Sequence, residues 1–354
     1  MTPHRFIGLL FSAPFGPDSG SQSFSDILIS RPQGGGEMIL RSSRILSVLT
    51  LAVVTSATVV TPGANAEISL QAAPIGWASQ NGGTSGGGGA PPVTVTSASA
   101  LSSAISGTGA AVVRVSGTIS CSGMLKVGSN KSIIGNSGAT IAGCGLTLSA
   151  SKNVVIQNLS FRGWNDDAIN VEKASTNVLV DHNTFTNGYD GAVDIKRASD
   201  FITVSWNRVH GHGKSMLLGH SDDNGSQDRG KLRVTYHHNY FDGSGTRHPR
   251  VRFANPVHVF NNYYRDNEYG VASTCNAGVL VENNHFDNVD EPTLVGYADS
   301  PAGTLVQRGN LFTGSGSPEA SGSVAGIPYS YSLESASAVK GSVTAGAGAG
   351  KIQP

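Results

Sequence analysis

Charge is scarce in this chain. Of its 354 residues 14% are charged, and 24 basic side chains balance 24 acidic ones, so the formal net charge at pH 7 is zero. Such a balance carries no electrostatic footprint for nucleic acid and no polybasic membrane anchor. Cysteine is scarce as well. With only Cys121, Cys144 and Cys275, two can pair and one is left over. Long apolar runs are also missing. The longest, Ile45 to Val60, is too short and too interrupted by Ser and Thr for a stable membrane span. No later run is long enough either, so the mature protein is expected to be soluble, without a membrane partner.

What the chain has in abundance is glycine, 46 residues, together with Ser, Thr and Asn. A turn-rich, low-charge composition of this kind reads as all-β rather than helical. At the N-terminus, residues 1–37 show no periodicity and no targeting pattern. At Met38 the character changes: Arg41 and Arg44 precede the apolar run, and Ala64-Asn65-Ala66 has the small-x-small form of a signal peptidase site. Residues 1–37 are therefore expected to be a misassigned upstream extension and 38–66 a signal peptide. Residues 67–354 are expected to form a single secreted catalytic domain. The glycine-rich stretch Asn81 to Pro92 reads either as a linker or as a turn within the fold; too little chain precedes it to make a separate domain.

From Ser132 onward a short unit recurs: an alternating apolar/polar run ending in Asn, usually with Phe or Tyr two residues later. Its asparagines are Asn136, Asn158, Asn183, Asn207, Asn239, Asn262, Asn284 and Asn310, spaced 22 to 26 residues apart except for one step of 32. A near-constant period is the signature of a solenoid. The period-two alternation makes each unit a strand. Coils stacked about 4.8 Å apart would let the asparagines form an amide ladder. The 23-residue separation of Cys121 and Cys144 puts them at one phase of adjacent coils, within reach of a disulfide, with Cys275 left as a thiol. The rhythm breaks between Asn207 and Asn239, where His210 to Lys231 is rich in Gly, His, Asp and Ser. Loops projecting from a rigid scaffold are where function concentrates.

Three clusters carry chemistry. Asn165-Asp166-Asp167 and Asp190-Gly191-Ala192-Val193-Asp194 begin adjacent coils, with Asp167 and Asp190 separated by 23, so stacking should place them on one face. Carboxylates converging without basic partners in their segments call for a cation, and oxygen donors at a flexible site suit Ca²⁺. Asp190 and Asp194 would lie about 13 Å apart on a straight strand; sharing one ion needs a bend, which Gly191 permits. Turn aspartates in solvent are the bland alternative. The third cluster is Arg247-His248-Pro249-Arg250-Val251-Arg252, with Lys214 in the long loop before it. Bases facing a carboxylate-calcium surface suit a polyanionic substrate, because guanidinium binds carboxylate bidentately. The many histidines, His210, His212, His220, His237, His238 and His248, match no zinc spacing and read as structural.

The runs DGAVDIKRASDFITVSWNRVHGHGKSMLLG, LRVTYHHNYFDGSGTRHPRVRF and VHVFNNYY resemble the pectate lyase family of polysaccharide lyases, with likeness extending over residues 93–351 and strongest from Asp167 to Tyr264. The resemblance implies a right-handed parallel β-helix of about 22–25 residues per coil. It implies calcium held by Asp167, Asp190 and Asp194, Arg247 as catalytic base, and Lys214 and Arg252 binding substrate carboxylates. The implied reaction is calcium-dependent β-elimination of α-1,4-linked polygalacturonate, by a monomer outside the cell. An arginine base sits against the rule that guanidinium stays protonated, and the role asks for neighbouring cations, burial and alkaline pH. Asn165 stands where some members carry a further acidic ligand, with Asp166 as a possible substitute. Leu179 replaces a frequent Trp, a packing difference. A pectin lyase, a hydrolase with paired carboxylic acids and a non-catalytic carbohydrate-binding β-helix are the alternatives.

Overall fold

The computed structural model describes residues 74–353. The expected upstream extension and signal peptide lie outside the described residues. Within them the chain winds as a parallel β-solenoid. One ten-stranded sheet takes one strand from each turn, among them Thr176–Asp181, Asp200–Ser205, Val234–His237, Val257–Phe260 and Gly278–Glu282. A thirteen-stranded sheet supplies the other two faces. One file runs through Ser160–Arg162, Thr184–Thr186, Arg208–His210 and Tyr240–Asp242; the other runs through Ile169–Glu172, Val193–Ile195, Leu217–Leu218 and Arg250–Arg252. The files merge at both ends of the stack. There Thr140–Ser149 pairs with the first strand of each file, and Tyr263–Thr274 with the last.

Every ladder is parallel, so inward positions stack on inward positions: Val154, Val178, Ile202, Val234, Val257 and Val279 form one buried apolar file. Phe241, Tyr264, Phe286 and Phe312 form another, with successive ring centroids 4.3–5.2 Å apart. The helix Ala98–Ile105, capped by the Ser97 hydroxyl accepting from the Ala100 N–H, inserts Leu101 and Ile105 into the core.

The asparagine ladder has six members, Asn183, Asn207, Asn239, Asn262, Asn284 and Asn310. Each Oδ1 of the last five accepts from the backbone N–H and the Nδ2 of the asparagine one coil earlier, at 2.8–3.1 Å. Each Nδ2 also donates to a backbone carbonyl, so these buried amides are satisfied. The expected members Asn136 and Asn158 do not join. The ladder position in the coil before Asn183 is Leu159, whose N–H donates to Asn183 Oδ1. Asn158 occupies the preceding turn position, at φ 59°, shared in later coils by His182, Trp206, His238, Asn261 and Asn283. That left-handed residue turns the chain between sheets; asparagine suits it as well as it suits the ladder, which hid the one-residue offset.

Cys121 and Cys144 are disulfide-bonded with Cα atoms 5.2 Å apart, and Cys275 is a buried free thiol. The glycine-rich stretch is part of the fold. From Trp77 to Gly87 it lies flat on the ten-stranded sheet, Trp77 N–H donating to Thr235 Oγ1, Ala78 N–H to Thr203 Oγ1 and Gly87 N–H to Ser132 Oγ. A Cβ on Gly87 would stand 2.2 Å from the Ala111 carbonyl, so only glycine allows this approach.

His237 and His248 are buried structural groups. His248 is fully buried, its Nδ1 donating to the Tyr269 carbonyl at 2.6 Å and its Nε2 accepting from Ser244 Oγ at 2.9 Å. Burial pushes its pKa down to about 3, against the pull of the Tyr269 carbonyl, and His237 is also pushed well below the ordinary value by burial. A histidine neutral in the native state but titrating near 6.5 when unfolded makes the unfolded chain bind more protons between those values. Stability therefore falls as pH drops through that window. Thermal denaturation followed from pH 7 to pH 4 is expected to show a falling Tm, with a shallower slope in His248→Gln; equal slopes would remove His248 from the account.

Candidate active site

The strand Val193–Ile195 turns Val193 and Ile195 into the core and leaves Asp194 on the outward face. The ladder register places Asp194 opposite Asn170 on one side and, through Ile195↔Leu218, opposite Leu217 on the other. Leu217 pairs with Arg250, so the arginine strand lies two coils beyond the aspartate strand, as its position in the repeat predicts.

This register also corrects the phase of the acidic cluster. Val193 pairs with Ile169, a separation of 24 rather than 23. Asp190 therefore stacks on Asp166, its N–H donating to the Asp166 carbonyl at 3.0 Å. Asp167 stands over Gly191 instead. A Cβ on Gly191 would come within 2.0 Å of Asp194 Oδ1, so the Asp194 carboxylate folds back into space that only glycine leaves open. Asp167 and Asp194 are thereby brought together, both buried. Desolvation first, then the Asp167 charge, raise the Asp194 pKa to about 7; desolvation likewise raises that of Asp167, against the pull of Lys196.

Basic groups surround these carboxylates. Lys196 Nζ lies 2.9 Å from Asp167 Oδ2. Burial alone would lower the lysine pKa, but Asp194 and Asp167 together hold it above the ordinary value. Arg247 Nη1 is 3.2 Å from Asp190 Oδ1 and 3.8 Å from Asp194 Oδ2, and Lys214 Nζ is 3.2 Å from Asp190 Oδ1. Arg247 stands at φ 67°, a left-handed conformation uncommon for a bulky side chain. The Asp190 backbone is pinned from behind, its carbonyl accepting from Trp164 Nε1 at 3.1 Å and His212 Nε2 at 2.8 Å. Among the described residues no group of three or more His, Cys, Asp or Glu side chains is set to hold a metal as they stand; the carboxylates are instead paired with these cations.

Five of the six expected site residues thus converge: Asp167, Asp190, Asp194, Lys214 and Arg247. Arg252 shares the outward face, on the row of Lys196, but its partners are Asp222 and the Gly219 carbonyl. Sequence reasoning missed Lys196, Asp222, Trp164 and His212 as parts of this surface. Strand alternation signals Lys196, two residues after Asp194, and the long step of the repeat contains His212 and Asp222. Trp164 has no such signal and arrives through coil stacking.

The β-solenoid that carries this surface is shared with solved pectate lyases. A pectate lyase from Bacillus sp. N165, solved in complex with trigalacturonate, superposes with a TM-score of 0.73 at 35% identity, covering 79% of this chain and 99% of that one. A Xanthomonas campestris pectate lyase II gives a TM-score of 0.68 at 26% identity over 78% of this chain and 98% of that one. The class is thus that of the polysaccharide lyases. A probable pectate lyase A of Neosartorya fischeri is 40% identical over 287 residues, 78% of this chain and 88% of that protein. Pectate lyase A of Aspergillus niger is 38% identical over the same share of this chain and 87% of its own length. The pectate lyase family matches residues 47–352, and the chain belongs to that family. It is a pectate lyase.

Proposed function

We propose that this lyase cleaves α-1,4-linked polygalacturonate by calcium-dependent β-elimination, with Asp167, Asp190 and Asp194 as calcium ligands, Arg247 as base, and Lys214 and Arg252 as carboxylate partners of the substrate. The observation that carries the reading is the convergence on Arg247 of Asp190 from the coil turn and Asp194 from the strand. The donor set fits a hard divalent ion: oxygen only, from two adjacent coils, with Gly191 leaving room for the carboxylate. Calcium bound there supplies Lewis-acid stabilisation of charge developing on a uronate carboxylate. The remaining chemistry belongs to the protein. The C5 proton of a galacturonate, acidic because it lies α to the carboxylate, passes to Arg247 in its uncharged guanidine form, since guanidinium has no lone pair to accept it. The C5–H bonding pair forms the C4–C5 double bond, and the C4–O pair leaves on the departing sugar, whose oxygen takes a proton from solvent. Lys214 and Arg252 orient the polymer by its carboxylates. The Cys121–Cys144 bridge suits an oxidising compartment, in keeping with secretion.

The deciding experiment is incubation with polygalacturonate, with and without chelator, followed by the ultraviolet absorbance of the unsaturated product. Absorbance that rises only with calcium supports the reading; full activity in excess chelator overturns it. A second variant probes the space at Gly191. Gly191→Ala drives a methyl into Asp194 Oδ1, so calcium affinity measured by calorimetry is expected to fall by roughly tenfold or more while the solenoid still folds. Unchanged affinity would place the ion elsewhere.

A further inference from the structure

Beyond the six residues of that reading, two loops meet over the arginine strand. Asp222, in the long step of the repeat, places Oδ1 2.5 Å from Arg252 Nε, while Arg252 Nη1 donates to the Gly219 carbonyl at 3.2 Å. From a later turn, Ser300 Oγ donates to Asp222 Oδ1 at 2.9 Å and Oδ2 at 2.7 Å, and accepts from Arg250 Nη2 at 2.8 Å. Arg250 in turn lies over the Tyr297 ring, 4.8 Å from its centroid. The result is a chain of contacts, Arg252–Asp222–Ser300–Arg250, that ties both outward-facing arginines of one short strand to two loops far apart in sequence.

The geometry of Arg252 matters most. Two edges of its guanidinium are engaged, by Asp222 at Nε and by Gly219 at Nη1, and among the described residues none takes Nη2. A flexible arginine loses side-chain freedom when it binds a carboxylate. One already fixed on two edges, with the third open, has that cost met in folding. Held between Arg252 and Ser300, Asp222 keeps its carboxyl down at about 2 although partial burial pushes the other way, so it stays ionised at any working pH.

We infer that Asp222, braced by Ser300, is a positioning residue for substrate binding: it fixes the Arg252 guanidinium so that its free edge meets a galacturonate carboxylate. The inference rests on the reading of Arg252 as a substrate ligand.

The test uses the full-length mature enzyme on polygalacturonate. Asp222→Asn, which keeps the shape and removes the charge, is expected to raise KM about tenfold, the loss of one charge-assisted hydrogen bond, with kcat changed less than threefold. Asp222→Glu should recover part of the loss, and Ser300→Ala should move KM in the same direction by less. Tm measured on each variant separates loosening of the fold from loss of positioning. The decisive arm is the double variant: in an Arg252→Ala background, Asp222→Asn should add nothing further to KM, because the residue through which it acts is gone. An unchanged KM in Asp222→Asn overturns the inference. So does a lowered KM, which would make Asp222 a competitor of the substrate, and so does an undiminished effect in the Arg252→Ala background. An Arg252→Ala single variant with unaltered KM instead sinks the assignment of Arg252 itself, a distinct failure.

Discussion

Arg247→Lys is expected to lose about 10²–10⁴-fold in kcat, the range associated with a positioned proton-transfer group, while calcium and substrate affinities measured by calorimetry stay within a few-fold of the parent. The expectation follows from where the side chain sits. Arg247 leaves the backbone at φ 67° with its Nη1 between Asp190 and Asp194. A lysine side chain is one atom shorter and ends in a compact, strongly hydrated ammonium, so it does not place a nitrogen where Nη1 stands between the two carboxylates. Lys214, whose Nζ is on the same Asp190 oxygen, is the group that would remain. A variant retaining most of its kcat would show that another group takes the proton, and Lys214→Ala in that background would then identify it.

The second large effect is expected from Asp194→Asn. Asp194 is buried, receives the Leu217 N–H at 3.2 Å, and faces Asp167, Lys196 and Arg247. Asparagine preserves its volume and the bond from Leu217 but removes one of three formal charges from the donor set. Calcium affinity is expected to fall by roughly tenfold or more, since ligand charge count tunes affinity at oxygen sites. Turnover at limiting calcium should fall with it and recover in part when calcium is raised. Asp190→Asn should behave in the same direction but more mildly, because its carboxylate is about a third exposed and solvent compensates the loss. Activity unaltered at every calcium concentration in Asp194→Asn would remove this residue from the metal site.

Much of this protein was written along the chain. Its solenoid form follows from one short unit repeated at a near-constant interval, because a parallel stack must present the same phase to the same face in every coil. The Cys121–Cys144 bridge forms between adjacent coils as expected, although a register shift after Ser120 sets Cys144 opposite Gly123. The long step after Asn207 marked the loop that supplies Lys214 and Asp222. The acidic and basic clusters were legible because their residue types are unusual in a chain with so little charge.

Register was not legible, and register decides which groups meet. A spacing of 23 paired Asp167 with Asp190, whereas the ladder runs at 24, stacks Asp190 on Asp166, and brings Asp167 to Asp194 across Gly191. The same one-residue offset removed Asn158 from the amide ladder and put it in the left-handed turn. A sequence gives the average period of a coil, but each turn absorbs or adds a residue according to its own backbone conformation, and a slip of one exchanges the inward and outward faces of a strand. Arg252 illustrates the limit most clearly. Strand alternation sets it outward, yet its hydrogen-bond partners come from positions 219 and 222 of one loop, braced by residue 300 of another. Contacts of that sequence separation exist only once the coils have stacked, so only the tertiary structure could decide what holds this guanidinium and which of its edges stays open.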